Sequence, residues 1–109
     1  MDIYHVWCNL IDSRKDDEFC AAVEAYLDYF KSDGLLDNYR ITRRKLGFGP
    51  KELGEFHILI ETKNMSKLED VWRTVAQKDE PVVSLHKDVY SRVTDFRSAL
   101  YRDFPDTFS

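Results

Sequence analysis

Polar and apolar residues alternate along positions 2–10: Tyr4, Val6, Cys8 and Leu10 fall on one side, Ile3, His5, Trp7 and Asn9 on the other. A period of two predicts a strand. The period then lengthens. Phe19, Ala22, Val23, Tyr26, Leu27 and Phe30 recur three and four positions apart, which predicts an amphipathic helix. Ser13 stands as its N-cap, Asp16, Asp17 and Glu18 place negative charge in the first turn, and Gly34 ends it.

From Leu35 to Phe48 the pattern returns to period two, with Tyr39 and Ile41 on one side and Arg40, Thr42 and Arg44 on the other. The stretch "GFGPKELG" has the Gly and Pro of a turn, and a third strand, Glu55 to Lys63, follows, so the second and third strands form a hairpin. In "SKLE", Ser66 and Glu69 have the spacing of a capping box. They open a second helix with Leu68, Val71, Trp72, Val75 and Ala76 as its apolar stripe, ended by Pro81. Val82, Leu85 and Val89 predict a short further helix, and a last strand lies within residues 92–102. The end, "YRDFPDTFS", reads as an aromatic tail broken by Pro105, packed on its own subunit or on a partner.

This order, βαββαβ, predicts an α+β fold of one domain over residues 1–109: a ferredoxin-like sandwich with an antiparallel four-stranded sheet, order 4-1-3-2, and its helices on one face. The helices then cover Tyr4, Val6, Cys8, Ile41, Phe56, Ile58 and Ile60. The other face carries Ile3, His5, Trp7, Arg40, Thr42, Arg44, His57, Leu59 and Glu61. That face is too apolar to be left wholly wet and too polar for an ordinary core, so something covers it in part.

Charge narrows the partners. Sixteen basic against twenty acidic side chains give a formal charge of -4, which disfavours nucleic acid and anionic lipid. The first strand "IYHVWCNL" has the look of an RNA-recognition strand, but "GEFHILIE" puts His57 and Glu61 where paired stacking aromatics would be needed. No apolar run reaches the roughly 20 residues of a membrane span and the N-terminus has no basic leader, so a cytoplasmic protein is expected. Cys8 and Cys20 have no C-x-x-C spacing and read as small buried hydrophobes.

The stretches "IYHVW", "YRITRRKLGFGPKELGEFHILIET" and "SRVTDFRSALYRDFP" resemble an uncharacterised bacterial family of dimeric ferredoxin-like, or dimeric α+β barrel, proteins. The resemblance implies a homodimer with two sheets facing one another, and it carries no reaction. More distantly, the same architecture resembles that of cofactor-independent oxygenases, muconolactone isomerases and haem-degrading monooxygenases. A dimer agrees with the uncovered face, since closing it would bury Trp7 and Leu59.

Candidate chemistry gathers on that face. His5 and His57 are the candidate catalytic groups, because imidazole titrates near neutral pH and can act as a base. Trp7 and Leu59 offer apolar walls, Arg40 and Arg44 suit a carboxylate or phosphate on a ligand, and Glu61 is a further polar contact. The expected ligand is a small anionic or aromatic molecule, with no cofactor and no metal. If the protein is an enzyme, it is a cofactor-free monooxygenase or isomerase. The alternative is a structural dimer in which the histidines make interface hydrogen bonds and Arg44 pairs with Glu61 across the hairpin. His86 reads as a half-exposed surface histidine, and "GFGP" as a turn rather than a phosphate loop, since it precedes a strand and lacks the Lys-Ser/Thr ending.

Overall fold

The computed structural model describes residues 1–105. Four strands form one antiparallel sheet: β1 (Asp2–Leu10), β2 (Asn38–Arg43), β3 (Phe56–Thr62) and β4 (Val93–Arg102), in the order β2-β3-β1-β4. Three helices, α1 (Asp16–Ser32), α2 (Met65–Ala76) and α3 (Val82–Tyr90), connect them in the ferredoxin-like sequence of elements. β1 and β3 are the central pair, as the βαββαβ order predicts. Residues 106–109, part of the expected aromatic tail, lie outside the described residues.

The core forms where α1 meets the sheet. Phe19, Val23, Leu27 and Phe30 occupy one stripe of α1 and are buried against Val6, Cys8, Phe56 and Ile58 of the central strands. Each large side chain removed from water contributes about 1.5–3 kcal/mol. The ring of Phe19 meets that of Phe56 edge-on at 5.0 Å. Both cysteines are free; Cys8 is fully buried and Cys20 half-buried.

Several local expectations are corrected. Asp12, not Ser13, caps the first helical turn, its carboxylate accepting from the Arg14 backbone N–H at 3.1 Å. A short 3-10 turn over Ser13–Lys15 precedes α1. Asn64 caps α2 in place of the Ser66–Glu69 box, accepting from the Lys67 N–H at 3.0 Å. Its extended backbone comes straight off β3, so the helix begins before Ser66 is reached. β2 spans six residues, shorter than the Leu35–Phe48 pattern suggested. Leu36 turns into the core, and Leu46 and Gly47 adopt positive φ values that end any strand.

Gly54, at the end of the long β2–β3 connection, is buried against the backbone of Cys8, and a Cβ there would collide with the Cys8 carbonyl. Gly54→Ala is therefore expected to destabilise the fold by about 1–3 kcal/mol, lowering the melting temperature by several degrees in a thermal denaturation scan. An unchanged melting temperature would show that the β3 edge moves freely away from β1.

Candidate functional site

The helix-free face is a grid of rows set by strand register. In one row Thr42, His57, Trp7 and Arg97 stand side by side; in the next, Arg40, Leu59, His5 and Ala99; in the third, Asn38, Glu61, Ile3 and Tyr101. Directly opposed residues share a face, and diagonal neighbours remain within reach of aromatic side chains. His5 and His57 are such a diagonal pair.

The two imidazoles meet. His5 Nδ1 and His57 Nε2 lie 2.9 Å apart, a hydrogen bond in which one ring donates and the other accepts. The rings are nearly parallel, with centroids 5.2 Å apart. Trp7 lies parallel to both, 4.8 Å from His57 and 5.6 Å from His5. Tyr101 closes the cluster edge-on to His5 at 4.8 Å. Three of these groups were identified from the sequence, but Tyr101 was not. Only the pairing of β1 with β4 places it beside Ile3, and no alternation within β4 pointed to it.

The remaining candidates divide. Leu59, Arg40 and Glu61 lie on the same face within one row of the imidazoles. Arg40 and Glu61 have no side-chain partner among the described residues. Arg44 is drawn off the face: its guanidinium donates to the carbonyl of Pro50 at 2.7 Å and to that of Leu53. It does not pair with Glu61, because the hairpin register sets Arg44 beside Glu55 and Glu61 beside Asn38, at opposite ends of β3. Arg97, which the sequence reading did not single out, donates to the Glu52 carbonyl at 2.9 Å from the other side. Together the two arginines hold the 44–55 connection against the end of the sheet. Beside it lies an open hollow of about 220 Å³ lined by Trp7, His57, Arg44, Phe48 and Leu53 among others.

The family model of DUF6614, a family of unknown function, matches residues 1–109. The chain belongs to this family. No curated protein matches it in sequence. Solved structures share its fold across almost the whole chain. A dimeric ferredoxin-like protein of unknown function from Jannaschia sp. CCS1 has 12% identity and a TM-score of 0.68, covering 94% of this chain and 100% of its own. A dabb family protein with a ferredoxin-like fold from Mesorhizobium loti has 15% identity and a TM-score of 0.69, with 94% and 96% covered. SnoaB, a cofactor-independent oxygenase from Streptomyces nogalater, has 6% identity and a TM-score of 0.70, with 96% and 97% covered. At these identities the likeness is one of fold, and DUF6614 members inherit no chemistry from it.

Among the described residues no group of three or more His, Cys, Asp or Glu is placed to hold a metal ion, and no helix is long and apolar enough to cross a membrane. Burial lowers the pKa of His5, and burial followed by the charge of His5 lowers that of His57. A second proton would also put two donors into the 2.9 Å contact.

The folded chain thus holds imidazole protons less tightly than the unfolded chain does. Below the ordinary value of 6.5 the unfolded state binds more protons, so stability falls as pH falls through that range. Asp12 and Asp16, lowered from 3.8 by hydrogen bonds to Arg14 and Arg43, lose their contribution only at more acidic pH. The melting temperature should drop between about pH 7.5 and about pH 5.5, and His57→Gln should flatten that slope relative to the parent. His86, also lowered by burial, contributes equally to both proteins. A parent profile that is flat, or a variant profile equally steep, would contradict the paired-imidazole reading.

Proposed function

We propose that this DUF6614 protein functions as a homodimer of the dimeric α+β barrel type that binds a small aromatic or anionic molecule, with the helix-free faces of two sheets closed on one another. The state of that face carries the reading. Trp7, Leu59 and Ile3 are only half-buried, while Arg40 and Glu61 are charged and without side-chain partners. In a two-fold assembly the same patch meets itself, so the arginine of one copy can reach the carboxylate of the other. Leu46 and Phe48, about 90% or more exposed on the adjoining loop, offer further apolar surface to a second copy. The dimeric relative from Jannaschia supports this by fold.

The dimer would close over the hollow beside Trp7 and His57. There Trp7 supplies an apolar wall and His57 a proton-transferring group, while Leu59, Arg40, Glu61 and His5 stand in the adjoining rows of the same face. Arg44 contributes by fixing the loop that floors the hollow.

A second reading, a cofactor-independent monooxygenase or isomerase using one of the two histidines as base, is supported by their lowered pKa. An imidazole that is neutral at pH 7 has a lone pair available to accept a proton.

Sedimentation equilibrium tests the assembly. The parent should be a dimer at micromolar concentration. Leu59→Asp, which would oppose a carboxylate to a closing apolar surface, should make it monomeric, and Trp7→Ala should weaken association about tenfold or more. A monomeric parent, or a Leu59→Asp variant that stays dimeric, would rule out this face as the interface.

A further inference from the structure

The layer between the sheet and α2 is not filled. α2 brings Leu68, Val71, Trp72 and Val75 to it at helical spacing, yet only Leu68 is buried, and Trp72 remains 41% exposed. Well-packed interiors leave few voids larger than a water molecule. Here a cavity of about 160 Å³ lies between the central strands, α1, α2 and α3. That exceeds a single water's share of liquid several times over and matches cavities able to hold one aromatic ring.

Its lining differs from that of a simple packing defect. Tyr4 of β1, Tyr26 of α1, Trp72 of α2, and His86 and Tyr90 of α3 bring aromatic groups from four elements to one space. Tyr4 meets Trp72 edge-on at 5.6 Å, Tyr26 meets His86 edge-on at 5.9 Å, and His86 stacks on Tyr90 at 4.3 Å. None of the three phenols, nor the imidazole, has a hydrogen-bond partner among the described residues, and no polar side-chain atom there is sealed away from contact. These donors and acceptors therefore keep access to solvent on residues that line the cavity. Burial and the nearby Tyr4 push Tyr26 up to about 12; burial also raises Tyr90 and lowers His86. At neutral pH all are uncharged, and no Lys, Arg, Asp or Glu lines the space. Apolar walls with a few converging polar groups are the usual composition of a small-molecule site.

We infer that this helix-side cavity binds an uncharged, planar aromatic molecule bearing hydroxyl or carbonyl oxygens, which packs among Tyr4, Trp72 and His86 and exchanges hydrogen bonds with Tyr26 and Tyr90. A charged ligand is disfavoured because it would lose its hydration without meeting a counter-ion. Trp72, which both lines the cavity and reaches solvent, marks its open side. The site shares no residue with the helix-free face and does not depend on the dimer.

Calorimetric titration of the full chain with phenol tests the inference, with benzene and benzoate for comparison. In the Trp7→Ala background, where the helix-free face lacks its aromatic wall, one phenol should still bind per chain, about tenfold or more tighter than benzoate. Tyr26→Phe and Tyr90→Phe in that background should each weaken phenol about three- to tenfold while leaving benzene unchanged. Val71→Phe, which fills the cavity, should abolish this binding. The two Tyr→Phe variants keep the test decisive if Val71→Phe fails to fold. Absence of binding in Trp7→Ala, equal affinity for phenol and benzene, or retention of binding in the cavity variants would overturn it.

Discussion

Every second side chain of β1 and β3 has to point away from the helices, because successive residues of a strand alternate in direction and the helices occupy one side. The arrangement leaves no freedom once register is set. With Trp7 opposite His57 and Val6 opposite Ile58, the imidazoles and the indole go to the bare face while the aliphatic groups go to the core. A slip of one residue would drive His57 into the layer occupied by Phe19. The register is held at both ends. At one end buried Asp2 accepts from Arg102 at 2.6 Å, and the Thr62 hydroxyl donates to the Asp2 carbonyl at 3.1 Å. At the other, Gly54 packs against Cys8, and the Asn9 side chain accepts from the Glu55 N–H at 2.8 Å while donating to Asp95 at 3.1 Å.

Much of this was legible in the residues themselves. The alternation of "IYHVWCNL" and "EFHILIE" assigned His5, Trp7 and His57 to one face, and the stripe from Phe19 to Phe30 supplied the opposing helix. What periodicity could not convey was the state of a face or a layer after packing. Arg44 sat in phase with the bare face, yet local geometry favoured loop carbonyls over a partner across the sheet. Tyr101 and Arg97 belong to a strand whose position beside β1 depends on a crossover, so their neighbours are set by tertiary pairing. Tyr26 counted as one more member of an apolar stripe, and His86 as a surface histidine. Their convergence with Tyr4 and Tyr90 on an unfilled space depends on how closely α2 and α3 approach the sheet, which no spacing rule encodes.

The sheet therefore has two chemically different sides. On the bare side, the two imidazoles hydrogen-bond each other and stack with Trp7, and the charged and apolar side chains around them are suited to a second copy. Under the helices, phenols and an imidazole face a cavity with no partner of their own. Proteins that share this fold at 6–15% identity include one described as an oxygenase and one of unknown function, so the backbone alone does not select chemistry. That property resides in particular side chains on each side of the sheet.

The direct test of the bare side is an isotope-filtered NOE experiment on protein mixed from labelled and unlabelled chains. Contacts from the Trp7 indole and Leu59 methyl groups of one chain to protons of the other are expected, together with a hydrogen-bonded His5–His57 pair within each chain. A mixed sample lacking such contacts while the protein is dimeric would place the interface elsewhere and leave the imidazole–indole stack open to solvent or a ligand.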